Sequence, residues 1–157
     1  MTAGTESDLA AMDRALVEAR LALGHGDVPI GAVVVHGGEV IASRHNEREL
    51  TGDPTAHAEI LALRDAATHL GGWRLGGCTL VVTLEPCPMC AGAALASRLD
   101  RVVFGAVDMK AGALGSLVHL GCDPRFNHEY EVTAGVRTEE CAEVLTSFFG
   151  TLRPASK

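Results

Sequence analysis

A chain of 157 residues with 47% hydrophobic and 21% charged residues is long enough, and apolar enough, for one ordinary domain with a real core, which excludes a disordered or fibrous protein. Its longest apolar runs, such as Ala32 to Val35, are strand-sized and far short of the ~20 residues that span a bilayer. The formal net charge is −7 and the 13 Lys and Arg form no dense run, which leans against a protein that grips nucleic acid chiefly by neutralising phosphates. The N-terminus shows no basic segment followed by an apolar block, so a cytoplasmic location with no membrane partner is the expectation.

In chain order, Leu9, Met12, Leu16, Ala19 and Leu23 recur at helical spacing and predict a helix that ends at Gly24 to Gly26. The runs PIGAVVVH and EVIASRHN flank Gly37 and Gly38, the pattern of a β-hairpin with a two-residue turn. Asp53, Pro54 and Thr55 offer helix-start chemistry, and Ile60, Leu63, Ala67 and Leu70 form a stripe that stops at Gly71 and Gly72.

A strand from Cys78, a helix over CPMCAGAALASR with Pro88 in its first turn, and a strand from Arg101 follow. Asp108 to Leu120 reads as a glycine-rich loop or broken helix, and EYEVTAG as a short last strand. A closing helix runs from Thr138, its cap, to Phe149, with Cys141, Val144, Leu145 and Phe148 on its buried face. Alternation of this kind predicts parallel strands joined by crossover helices on both faces of a sheet, with the site at the strands' C-terminal ends. Residues 1–157 are expected to form one domain with short mobile ends, about 1–6 and about 154–157.

The chemistry concentrates in two stretches, DPTAHAEI and TLEPCPMCAG. Five cysteines with only Cys87 and Cys90 close together argue against a disulfide framework and for metal or redox use of that pair. Cysteines three apart at a helix start turn their sulfurs to one side, and a helix N-terminus favours the thiolate that binds metal. His57 opens the other helix, so three ligands can converge on one zinc ion and leave its fourth position to water, the mark of a catalytic site. Glu59, two residues on, points elsewhere and is placed to move protons to and from that water. A structural zinc site would need a fourth protein ligand, for which Cys78, Cys122 and Cys141 are the candidates.

The pattern H-x-E followed by P-C-x-x-C is the signature of zinc nucleobase deaminases. The chain resembles the bacterial tRNA-specific adenosine deaminases of the zinc-dependent cytidine/deoxycytidylate deaminase superfamily, from about Val28 to Arg153. VPIGAVVV, Asn46, DPTAHAEILALR, VTLEPCPMCAGA, RVVFGAVDMKAGALGS, NHEYEV and Ser147 to Phe149 carry the resemblance. It implies a three-layer α/β/α fold with a central five-stranded mixed sheet, a homodimer, one zinc per subunit, and conversion of adenosine to inosine at the wobble position of a tRNA-Arg anticodon stem-loop.

Transferred position by position, the resemblance implies that His57, Cys87 and Cys90 bind zinc, that Glu59 shuttles protons, and that Asn46, Pro29, Ala58 and Leu84 line the base pocket. It places Asp108, Lys110, Asn127, His128, Phe149 and Arg153 near the flanking anticodon nucleotides. Asn46 otherwise reads as a capping or turn asparagine, Asp108 as a turn residue and Phe149 as core. Two departures are the weakly basic tail GTLRPASK and Glu47 directly after Asn46. The rivals are the same chemistry on a free base or nucleoside, such as guanine or cytosine, which the acidic charge favours, and a catalytically silent zinc subunit that positions RNA, which the presence of Glu59 opposes.

Overall fold

The computed structural model describes residues 4–152. Arg153 and the tail beyond it lie outside the described residues, as do the first three positions of the N-terminal end. Thr5 and Glu6 belong to a capped helix start. Thr5 Oγ1 accepts the Asp8 N–H at 3.2 Å and the Asp8 carboxylate accepts the Thr5 N–H at 2.9 Å, a capping box that begins helix α1 (Glu6–Leu21) ahead of the apolar stripe. Its buried face is Ala11, Met12, Ala15, Leu16 and Ala19, while Leu9 and Leu23 stay exposed. A 3-10 turn, Ala22–His25, then ends at Gly26 with φ +75°.

Strands β1 (Gly31–His36) and β2 (Glu39–His45) form the expected hairpin, with Gly37 and Gly38 at φ +58° and +80°. Both values lie in the left-handed region that a two-residue hairpin turn demands. Gly31 is needed for a different reason. A Cβ there would lie 1.9 Å from the Ala15 carbonyl oxygen, so only glycine lets α1 pack this closely on the sheet.

A one-turn helix α2 (Arg48–Thr51) follows, too short to leave a periodic signal in the sequence. Next come α3 (Ala58–Leu70), β3 (Cys78–Leu84), α4 (Pro88–Ala96), β4 (Arg101–Ala106), β5 (Glu131–Thr133) and α5 (Thr138–Leu152). Thr138 is the first residue of α5, not a cap: its hydroxyl donates to the Gly105 carbonyl at 3.3 Å. The preceding Arg137 takes the turn, at φ +57°.

The sheet order is β2-β1-β3-β4-β5. The pairs β3·β4 and β4·β5 are parallel and β1 runs antiparallel to both neighbours, so the expected hairpin and the expected crossover-joined parallel strands share one sheet. Because β1 opposes both β2 and β3, those two share a direction, and α3 crosses over β1 to join them. The sheet is therefore mixed and five-stranded.

Alternation along the strands sorts the core into two layers. Val33, Val81 and Val103 face α1 and α5 with Ala11, Met12, Ala15, Leu16 and Cys141. Ala32, Val34, Leu80, Val82, Val102 and Phe104 face α3 and α4 with Ala58, Ala62, Ala66, Ala91 and Ala94. The alanines bring α3 and α4 close to the sheet, and both helices start at its edge beside the C-terminal ends of β2 and β3. No helix among the described residues is long and apolar enough to cross a membrane.

Candidate metal centre and active site

His57 and Cys87 are the N-cap residues of α3 and α4, both with extended backbone (ψ 149° and 173°), and Cys90 sits in the first turn of α4. Neither residue makes a side-chain capping bond to its helix. Both side chains turn instead toward each other. His57 Nδ1 lies 3.7 Å from Cys87 Sγ and 3.5 Å from Cys90 Sγ. An ion held tetrahedrally at ordinary Zn–N and Zn–S lengths separates its N and S donors by about 3.6 Å.

The donor set thus fits zinc in both chemistry and spacing. Among the described residues this trio is the one group of three or more His, Cys, Asp or Glu whose donor atoms converge tightly enough for an ion. Cys78 and Cys141 are buried elsewhere and Cys122 is exposed, so none supplies the fourth ligand of a closed structural site.

Charge is already arranged for a cation. A hydrogen bond from Cys90, with His57 assisting, pulls the Cys87 thiol down to about 4, and the same contact pushes Cys90 up. The hydrogen bond to Cys87 raises His57. A bound divalent cation replaces these shared protons. Glu59, 4% exposed, stands beside the trio without joining it. Burial pushes its carboxyl up, against smaller opposing pulls from its own N–H, His57 and the Cys90 thiol. A carboxyl so placed can hold a proton and release it.

Beyond this centre opens a cavity of about 780 Å³ lined by Val28, Leu84, Asp108, Lys110, Leu145 and Phe149, among others. It gathers Leu84, Asp108, Lys110 and Phe149 of the expected substrate residues, and it leaves out the metal trio and Glu59. The Asp108 Oδ1 accepts the N–H groups of Lys110 and Ala111 at 3.0 and 3.1 Å and so shapes its own turn.

Comparison with known proteins agrees with this geometry. The profile of the MafB19-like deaminases matches residues 6–153. Over 146 residues the chain is 53% identical to the tRNA-specific adenosine deaminase of Bacillus subtilis, an alignment covering 93% of this chain and 91% of that protein. The chain belongs to the tRNA-specific adenosine deaminase family.

A solved structure from work on A-to-I editing by tRNA:A34 deaminases at the wobble position superposes on this family member with a TM-score of 0.84 at 46% identity, covering 87% of this chain and 99% of that one. The guanine deaminase from Nitrosomonas europaea superposes with a TM-score of 0.76 at 27% identity, covering 96% and 87% respectively. The chain is accordingly a hydrolytic deaminase with the three-layer fold that the resemblance implies.

Within the deaminase, Asn46 is buried and its amide is engaged at both ends. Oδ1 accepts the Ala58 N–H at 2.9 Å and Nδ2 donates to the Val28 carbonyl at 3.1 Å. Asn46 therefore caps α3 from outside, the task that His57 gives up when its ring turns to the thiols. Pro29 and Ala58 are buried beside it. Asn127 and His128 precede β5, away from the cavity lining, and His128 Nε2 donates to the Leu99 carbonyl at 2.6 Å. Phe149 is 45% exposed, so it is not core, and it meets Phe148 edge-on.

Sequence reasoning missed Glu85. This carboxylate, 2% exposed, accepts N–H groups from Asp108, Leu114 and Ser116 and the Ser116 hydroxyl, at 2.5 to 3.1 Å. Burial opposes its charge, yet these donors hold it below its ordinary range. Gly112 fits because a Cβ there would strike the same carboxyl. Glu85 thus fastens the Asp108–Ser116 loop to the segment that carries Cys87. The sequence signal was an acidic residue inside a strand-to-helix junction with no basic residue near it.

Proposed function

We propose that this deaminase converts adenosine to inosine at the wobble position of a tRNA anticodon, tRNA-Arg among its substrates, as a cytoplasmic homodimer with one zinc per subunit. The observation that carries the reading is the converging His57, Cys87 and Cys90 with the enclosed Glu59 beside them, in a chain 53% identical to a tRNA-specific adenosine deaminase. A zinc ion held by the trio supplies Lewis-acid activation of the attacking water.

The chain's own residues do the rest. Glu59 accepts a proton from the water as the water oxygen bonds to C6, and delivers that proton to N1 of adenine. It then takes the second proton to the amino group, so that the C6–N bond breaks, ammonia leaves and the C6 carbonyl of inosine remains. Asn46 holds the start of α3 in register, and its remaining amide hydrogen and lone pair are available to a purine edge. Pro29, Ala58 and Leu84 offer apolar walls to the base.

Asp108, Lys110 and Phe149 meet the flanking nucleotides at the outer cavity, Phe149 by stacking and Asp108 by accepting a ribose 2′-OH. By the resemblance, Asn127, His128 and Arg153 contact the same nucleotides. The dimer reading draws support from α4, whose nine residues carry no charge and whose Pro88, Met89 and Ala96 are exposed.

The net charge of −7 and the likeness to a guanine deaminase favour a second reading, deamination of a free base. Purified enzyme is incubated with tRNA-Arg bearing adenosine at the wobble position and, separately, with guanine, cytosine and cytidine. Inosine in the tRNA is the expected product; ammonia from the free bases alone overturns the tRNA reading.

A further inference from the structure

Away from the metal trio, two imidazoles face each other between α1, the 3-10 turn, β2 and α2. His25 Nε2 and His45 Nε2 are 3.2 Å apart, with ring centroids at 5.2 Å and planes inclined by 29°. Each ring is anchored through its other nitrogen to a carboxylate. His45 Nδ1 meets Glu18 Oε2 at 2.8 Å, and His25 Nδ1 meets Asp27 Oδ2 at 2.6 Å. Asp27 is itself fixed: it is 2% exposed and accepts the N–H groups of Glu49 and Leu50 at 2.8 and 3.1 Å.

Ionised carboxylates only accept hydrogen bonds, so both Nδ1 atoms carry protons and both Nε2 lone pairs point at the gap. Two Nε2 atoms at 3.2 Å are bridged by a shared proton or by a metal ion. A tetrahedral metal at ordinary Zn–N lengths separates two imidazole nitrogens by about 3.3 Å. A carboxylate behind each histidine is also the usual arrangement around metal-bound imidazole, where it sets the tautomer and raises ligand basicity. The two side chains are 19% and 18% exposed, which leaves an opening for water to complete the coordination sphere.

We propose that His25 and His45 form a second divalent transition-metal site, distinct from His57, Cys87 and Cys90, that binds zinc or nickel through two imidazole nitrogens and water. Occupancy ties the 3-10 turn to the end of β2. The residues next in chain to this clamp are Val28, one past Asp27, and Asn46, one past His45, which are already joined to each other.

The test uses the untagged, full-length protein carrying one zinc per chain and titrates it with further zinc by calorimetry, with metal content checked by atomic absorption. Wild type is expected to take up a second equivalent, and His25→Gln and His45→Gln each to take up none, with inosine formation retained at the first site. Histidine-ring NMR on the wild type guards against a variant that folds poorly: two Nε2 resonances, and only two, shift with the second equivalent. No second equivalent in wild type, or a second equivalent that both variants keep, overturns the proposal and leaves the gap to a shared proton.

Discussion

The inner centre and the outer cavity of this deaminase are built on opposite plans. Inside, His57, Cys87, Cys90 and Glu59 stand on the first turns of two helices that are packed on the sheet through alanines, so their positions follow from the rigid layers. Outside, Asp108, Lys110 and Phe149 are half-buried or exposed, on a loop without regular structure and on a terminal helix in which Cys141 alone is fully buried. The Asp108–Ser116 loop is held to the scaffold by one buried side chain, Glu85. On the proposed function, the groups that act on the base sit on closely packed helices, and the groups that recognise the RNA sit where a large polymer can reach them.

Breaking the inner centre has the largest consequence. Glu59→Ala should lower kcat by about 10²- to 10⁴-fold, the usual range for a lost proton shuttle, with zinc retained. Inosine formation and atomic absorption on the same sample check it; unchanged turnover overturns the assignment of Glu59.

Glu85→Ala attacks the outer plan. It strands three loop N–H groups and should cost about 3 kcal/mol of stability. The surviving folded enzyme should show a larger change in KM for tRNA than in kcat, and the melting temperature and a tRNA titration give both readouts.

Asn46 lies between the two plans. Asn46→Ala removes the outside cap of α3 and the tie to Val28, at about 2 kcal/mol, and should loosen His57 as well. Urea unfolding measures the first effect and zinc retention under chelator the second.

The Asp8 pair with Arg101 (Nη2 to Oδ2, 2.6 Å) tests whether acid reaches the scaffold before the site. Burial alone would raise Asp8, but hydrogen bonds from Arg101 and Thr5 hold it below the ordinary 3.8. A lowered folded-state pKa stabilises fully above the unfolded value and is lost as pH falls through the folded one. Asp8→Asn should therefore cost about 1–2 kcal/mol at neutral pH, and its disadvantage should shrink below pH ~4, read from melting curves at both pH values. The smallest change in stability belongs to Phe149→Ala, within about 0.5 kcal/mol for an exposed site. The same variant should raise KM for tRNA while leaving the melting curve in place.

Legibility in the sequence followed range. The hairpin at Gly37 and Gly38, the stop of α3 at Gly71 and the start of α4 at Pro88 are local events, written in the residues that perform them. The metal trio was readable because helix starts make cysteine and histidine spacing geometric. The pairing of β1 with β3 was not, since strand order depends on contacts between distant segments such as Val33 and Val81. Leu9 and Leu23 matched the α1 stripe in spacing yet stayed exposed, because the sheet covers only the face through Met12 and Leu16. Glu85 showed only as an acidic residue in a strand-to-helix junction, and its bonds, like those of Asn46, had no local signature, as their partners lie 12 to 31 residues away.

The sequence by itself determined the boundaries of the longer helices and of the strands to within a few residues, and which His and Cys converge with Glu59 beside them, because those depend on periodicity and on chemistry within one turn. Tertiary structure alone decided that Asn46 caps the helix that His57 leaves uncapped, that one buried carboxylate holds the Asp108–Ser116 loop, and that His25 meets His45. Buried polar groups must find partners wherever the chain brings them, and only the folded chain says where that is.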